Sequence, residues 1–299
     1  VWLPDGSAAA MGNPDETSDF PVGTVITKTF YYPIGDGTAD VSLTEADDAS
    51  PATPLELGDV QLIETRVLVR RDDGWHAFPY VWNGAESEAS LERTGDVQAL
   101  AAVSDNGTET SLIYEVPNVN QCANCHATDH GTGQIQPIGP KARHLNGAVD
   151  YGAGLEPQLE YWQEAELLTD APAATDMPSA VMWQDETAPL EQRARTYLDI
   201  NCAHCHSPVG AADTSGLFLD INTPVGPEYG ICKSPVAAGS GSGGLLVDIH
   251  PGQPEDSILV YRMGSTDPAS MMPELGRSLS HSEGADLIAE WIKTLDGDC

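Results

Sequence analysis

The pentapeptide Cys122-Ala-Asn-Cys125-His126 returns 80 positions later as Cys202-Ala-His-Cys205-His206. C-x-x-C-H is the attachment signature of c-type haem. Two thiols add across the two vinyl groups of one porphyrin, and the adjacent histidine meets the iron from the same face. A chain with two such segments has to fold around two rigid, largely apolar discs, which constrains it more than any other feature it carries. A zinc ribbon would need its C-x-x-C pairs close in sequence, and a thioredoxin-like dithiol would sit in a βαβ context without a second copy. The expectation is two covalently attached haem c groups. Cys122, Cys125 and His126 hold one; Cys202, Cys205 and His206 hold the other.

Six cysteines occur in 299 residues, so Cys232 and Cys299 are left over. Covalent haem is attached outside the cytoplasm, which predicts a periplasmic or extracellular protein. In such an oxidising setting, a Cys232–Cys299 disulfide is the first reading; two buried thiols or an intermolecular bridge are the alternatives. No signal peptide is visible at Val1, and the chain reads as mature or incomplete. The 13 Lys and Arg against 46 Asp and Glu give a net charge of −33. A polyanion would be repelled at every approach, so nucleic acid is excluded as a partner, and anionic lipid with it. An acid-rich surface with only four lysines suits a saline or extracellular medium, where salt screens self-repulsion. No apolar run is long enough to span a membrane.

The pattern along the chain predicts an α+β protein. Residues 1–118 form a β-rich, haem-free domain. Residues 119–189 and 190–299 form two mainly α-helical, cytochrome c-like haem domains. Phe20–Tyr32 and Gln61–Arg70 are β-branched and alternating, and Arg71-Asp-Asp-Gly74 turns the second into Trp75–Trp82. Asp105-Asn-Gly107 marks a further hairpin between residues 97–103 and 111–114, and acidic residues 36–54 read as a surface loop. Helices are expected over Leu155–Leu168, over Leu190–Leu198 and from about Ser282. Ser280 and Glu283 suggest a capping box for the last, whose apolar face is Leu287, Ile288, Trp291, Ile292 and Leu295.

Each iron needs a sixth ligand unless its site is open. For the second haem, Met272 is preferred, with Met271 as alternate. Met-Pro is a familiar distal pairing, and a neutral thioether raises the potential. For the first haem, Gly139-Pro140 would let the Pro140 carbonyl accept from the proximal imidazole, and Arg143 and Asn146 would hold a propionate. Its distal candidates are Met177, Met182, His144 and His130, with Met177-Pro178 ranked first. An open site, or a ligand from the β domain, stays in play. His76, His250 and His281 read as ordinary surface or core histidines.

The chain resembles a family of bacterial two-haem c-type cytochromes over nearly its full length. The strings that carry the likeness are Phe20–Phe30, Ile63-Glu-Thr-Arg66, Tyr80-Val-Trp-Asn83, Pro137–Arg143, Tyr197–His206 and Met271–Gly276. Residues 200–295 are similar to a Planctomycete-type cytochrome c domain, through Gly216–Asp220, Pro251–Pro254 and Met272-Pro273. The resemblance implies haem binding by the six motif residues with Met272 as a distal ligand. It also implies a histidine-containing segment ahead of the position of Val1, another source for the first haem's sixth ligand.

Haem is the only reactive chemistry the sequence advertises, which points to an electron carrier rather than an enzyme. Its partners would be redox proteins or an extracellular electron acceptor. Two other classes follow from particular features. The unassigned ligand of the first haem admits a di-haem peroxidase, or the cytochrome subunit of a dehydrogenase, although no distal acid–base pair is recognisable. The large haem-free portion and extreme charge admit an extracellular cytochrome filament, a homopolymer joined through the β domain.

Overall fold

A computed structural model describes residues 1–35, 40–43, 56–104, 107–152, 154–236 and 238–299. The chain divides into two units. One is Val1–Cys122 with Ile135–Ala180, and the other is Ala123–Gln134 with Val181–Cys299.

The first unit is built on strands. In chain order they are β1 (Ala9–Ala10), β2 (Val25–Pro33), β3 (Val41–Ser42), β4 (Val60–Arg71), β5 (Gly74–Trp82), β6 (Ala89–Leu91), β7 (Asp96–Val103) and β8 (Glu109–Val116). One antiparallel sheet has the order β2-β4-β5-β6, with a bulge in β2 at Phe30/Tyr31. The expected β4–β5 hairpin closes between Arg71 and Gly74, where Gly74 adopts φ +128, a value that favours glycine. A second sheet runs β3-β7-β8. Its β7–β8 register ends at Val103 opposite Glu109, while Asp105 and Asn106 of the expected turn lie outside the described residues. Most of the expected 36–54 surface loop also lies outside them; within it, Val41 is buried and paired in β3.

The expectation of two mainly helical domains after the β-rich part is contradicted. Among the described residues there are six α-helices, and strands spread over four sheets. After β8 come α1 (Cys122–His126), α2 (Ala142–Leu145), the hairpin β9 (Ala148–Asp150) and β10 (Leu155–Pro157), α3 (Gln158–Glu164), and β11 (Leu168–Thr169). The helix expected over 155–168 is cut at both ends. Leu155-Glu-Pro157 pairs with β9, which leaves Leu155 60% exposed. After α3, Glu166 turns into the left-handed region at φ +57, and β11 pairs in parallel with β1. The sheet pairing wins because it closes a core. Met11 and Phe20 pack there with Ala142, Leu145, Leu159 and Leu168, and Phe20 meets Trp75 edge-on at 6.0 Å.

In the second unit, α4 (Leu190–Cys202), α5 (Ile258–Gly264) and α6 (Ser282–Lys293) surround a core of Leu198, Leu219, Tyr229, Ile249, Ile288, Trp291 and Ile292. The connections are loops and short 3-10 turns rather than further helix, because Pro, Gly and Asp dominate them. Residues 287, 288, 291 and 292 fall on one face of α6 and are buried. Burial of each such side chain contributes roughly 1.5–3 kcal/mol. The α6 N-cap is His281, not Ser280, and its side chain makes no cap bond; instead Nδ1 of His281 lies 2.8 Å from the Tyr197 hydroxyl. A Cβ on Gly284 would stand 2.3 Å from that hydroxyl, so glycine lets α6 approach α4 closely. A disulfide joins Cys232 to Cys299. No described helix is long and apolar enough to cross a membrane.

Candidate functional site

The second motif sits where α4 ends. Leu190 to Cys202 is one uninterrupted helix, so Cys202 projects from its last turn against the apolar core. Burial pushes the Cys202 thiol up to about 12. The chain then tightens: the amides of Cys205 and His206 both donate to the Cys202 carbonyl, at 3.1 and 2.9 Å. Ala212 closes the turn by donating to the Cys205 carbonyl at 3.0 Å. Gly210 makes that closure possible, because a Cβ there would lie 2.3 Å from the Cys205 carbonyl oxygen.

His206 is held from two sides. Its carbonyl accepts from the Leu219 amide at 2.9 Å, and its ring Nδ1 lies 3.3 Å from the Leu217 carbonyl oxygen. A carbonyl can only accept, so the proton resides on Nδ1 and the lone pair on Nε2. Burial, partly offset by the Leu217 bond, lowers the imidazole pKa to about 4. This is a neutral imidazole with a fixed tautomer, oriented by a backbone acceptor as metal-ligating histidines are. The Leu217 loop is itself tied to α4, since Arg195 donates to the carbonyls of Ile221 and Thr223 at 2.6 Å each.

Met271 and Met272 are half-buried on a loop pinned to α5. The Met272 amide donates to the Arg262 carbonyl at 3.0 Å, and Arg262 Nε donates to the Ser270 carbonyl at 2.9 Å. Arg277 clamps the other end through the carbonyls of Met263 and Ser265. Arg262 is near enough to His206, and Glu274 near enough to Cys205, for their charges to act on those groups. The Met-Pro loop and the second motif therefore share one region.

The first motif is α1. Cys122 belongs to the first unit, where its thiol donates to the Asn118 carbonyl at 3.5 Å and lies within electrostatic reach of Arg66. Cys125 and His126 belong to the second unit. There Cys125 meets Cys205 and His204, and their ligand atoms all lie within 4.8 Å of one another. The Cys205 contact and the His204 contact both favour the Cys125 thiolate; the same contact, with burial, raises Cys205. No protein-family profile, curated protein or solved structure matches this chain.

The remaining expected residues fall in both units. Pro140 follows a cis bond from Gly139. Arg143 is buried in an ion pair with Asp15, and the Asn146 amide donates to the carbonyls of Ala174 and Met177. Met177 is buried in the first unit's core, and Met182 is 45% exposed in the second unit. His144 Nδ1 accepts from the Lys141 amide at 3.4 Å. His130 donates its backbone amide to Val209 at 2.7 Å. Sequence reasoning missed His204, Gly210 and the Leu217 carbonyl. Only Gly210 carried a signal, as a glycine close behind a motif; a carbonyl acceptor carries none.

The donor set fits a c-type haem at the second motif: two thiols outside any disulfide, and a half-buried imidazole whose Nδ1–H is committed to a carbonyl, leaving Nε2 for a metal. The first motif supplies the same three side chains.

Proposed function

We propose that this chain is a di-haem c-type cytochrome that carries electrons outside the cytoplasm. The observation that carries the reading is His206, with its Nδ1–H committed to the Leu217 carbonyl beside the thiols of Cys202 and Cys205. That is the arrangement a proximal ligand requires, on the motif that haem attachment requires. Haem, when bound, supplies reversible one-electron chemistry at iron. The chain does the rest. Cys202 and Cys205, and Cys122 and Cys125, tether the groups; His206 and His126 provide imidazole ligands. The apolar core around Leu198, Leu219 and Trp291 excludes water beside the second site, which disfavours the more highly charged oxidised state. The Arg262–Arg277 clamp holds the Met272 loop, from which Met272 would supply a thioether ligand to the second haem. The partners are redox proteins or an extracellular acceptor, and the net charge of −33 favours cationic ones.

Intact mass and a pyridine haemochrome spectrum test this on protein made in a host with cytochrome c maturation. The expected result is a mass increase of two haems and a c-type reduced spectrum. A colourless protein with the mass of the bare polypeptide overturns it.

One observation favours a second reading. Cys125, His204 and Cys205 offer two sulfurs and a nitrogen within 4.8 Å, a set suited to zinc. Stoichiometric zinc in colourless protein, lost in His204→Ala, would establish that reading instead.

A further inference from the structure

Nothing in the spacing of the two motifs indicates where they lie relative to each other, yet the fold of the second unit lays them side by side. Asn124 and Cys205, 81 positions apart, are linked by a Cys205 Sγ bond to the Asn124 carbonyl at 3.7 Å. A backbone bond from His130 to Val209, at 2.7 Å, fastens the segments again just beyond their histidines. Between these ties the sulfurs of Cys125 and Cys205 lie within 4.8 Å of each other, with a ring nitrogen of His204 within the same distance of both.

In each motif the second cysteine bonds to the rim of a macrocycle. Two sulfurs held this close therefore bring two rims together. We infer that the two porphyrins meet along the edges bonded to Cys125 and Cys205, with the His204 ring at the junction, and behave as one coupled pair rather than two separate chromophores. This rests on the proposed covalent attachment of both haems. The separation is too short for another side chain to enter between the sulfurs, and His204 already occupies their flank. The His130–Val209 bond runs from backbone to backbone, so it persists when the Cys205 thiol, and with it the hydrogen donated to Asn124, is used up by attachment.

Circular dichroism in the Soret region reads this directly, since two strongly absorbing transitions in edge contact split into a bisignate couplet. The experiment uses the full chain carrying two haems, counted first by haemochrome and mass. The expected wild-type spectrum is bisignate. Cys122→Ser with Cys125→Ser removes the first haem, and Cys202→Ser with Cys205→Ser removes the second. Each single-haem protein should give a one-signed band, and their sum should not reproduce the wild type. The wild-type sign pattern needs no variant, so a variant that fails to fold leaves the test intact. Two counted haems with a one-signed wild-type band overturn the pairing and leave the electron-carrier reading standing. Fewer than two counted haems overturn that reading, and the pairing with it.

Discussion

The Cys232–Cys299 disulfide closes a loop with a sequence separation of 67. That loop contains α5, the Met271–Met272 segment and all of α6. Removing the bond should leave the folded state largely intact. Cys232 keeps its backbone bond to Ile249, and Lys233 keeps its pair with Asp248 at 3.1 Å. The α6 face of Leu287, Ile288, Trp291 and Ile292 stays buried. The cost therefore falls on the unfolded chain, which regains the freedom the cross-link denied it. For a loop of this length, the chain-entropy relation gives about 4 kcal/mol. Cys232 also sits in the left-handed region at φ +52; serine at that position meets the same backbone strain, so this contribution drops out of the comparison. With tenfold per 1.4 kcal/mol, amides of α6 that exchange through unfolding of this unit should lose protection by on the order of 1,000-fold. Hydrogen exchange with mass spectrometry on the 282–293 peptide measures it, comparing wild type with Cys232→Ser/Cys299→Ser. Wild type treated with a mild thiol reductant is the check on substitution, because reduction removes the same cross-link with no change of residue. Protection within about threefold of wild type in both samples would refute the reasoning, by showing that the unfolded unit gains little freedom when the loop opens.

Three further perturbations address other parts of the chain. Trp291→Ala empties a fully buried site beside Tyr229 and should destabilise the second unit by about 3–5 kcal/mol, read as an earlier urea midpoint for that unit; a change under about 1 kcal/mol would mean the site collapses without a cavity. Gly210→Ala sets a methyl 2.3 Å from a backbone oxygen and should cost about 1–3 kcal/mol, while lowering haem occupancy at Cys202 and Cys205 as counted by peptide mass. Gly58→Ala, where a Cβ meets nothing within 4 Å, is its neutral control. Glu64→Ala strips a buried carboxylate from Tyr114, at 2.6 Å, and from Arg66; leaving that cation and hydroxyl without their acceptor should cost the first unit about 3–5 kcal/mol, measured by denaturation followed through Trp75 and Trp82.

The parts of this structure that the sequence makes legible are those decided by short-range pattern. Alternation over residues 61–82 specifies a hairpin because a period of two leaves no other way to bury one face, and β4 and β5 pair as that pattern requires. The spacing of Leu287, Ile288, Trp291 and Ile292 specifies the last helix for the corresponding reason. Expectation fails where strand pairing, near or distant, outbids a helical repeat. Leu155, Leu159 and Trp162 repeat with helical spacing, but Leu155 pairs with Asp150 as strand, and Leu168 lies against Ala9 from the far end of the unit. The Leu168–Ala9 pairing spans far more than any local window, while the Leu155–Asp150 pairing is a short hairpin that the apolar spacing alone does not report. The candidate site divides in the same way. The thiols and histidines are written in two pentapeptides, whereas the acceptor that orients His206 is a main-chain oxygen, invisible to any reading of side-chain types. The approach of Cys125 to Cys205 is more remote still. It depends on a backbone bond from His130 to Val209 and on Gly210 allowing the turn to fold back on Cys205. A motif names the groups that can react, but the distance between two copies of it is set by the loops that follow them. How two such copies act together is therefore decided by residues that carry no chemistry of their own.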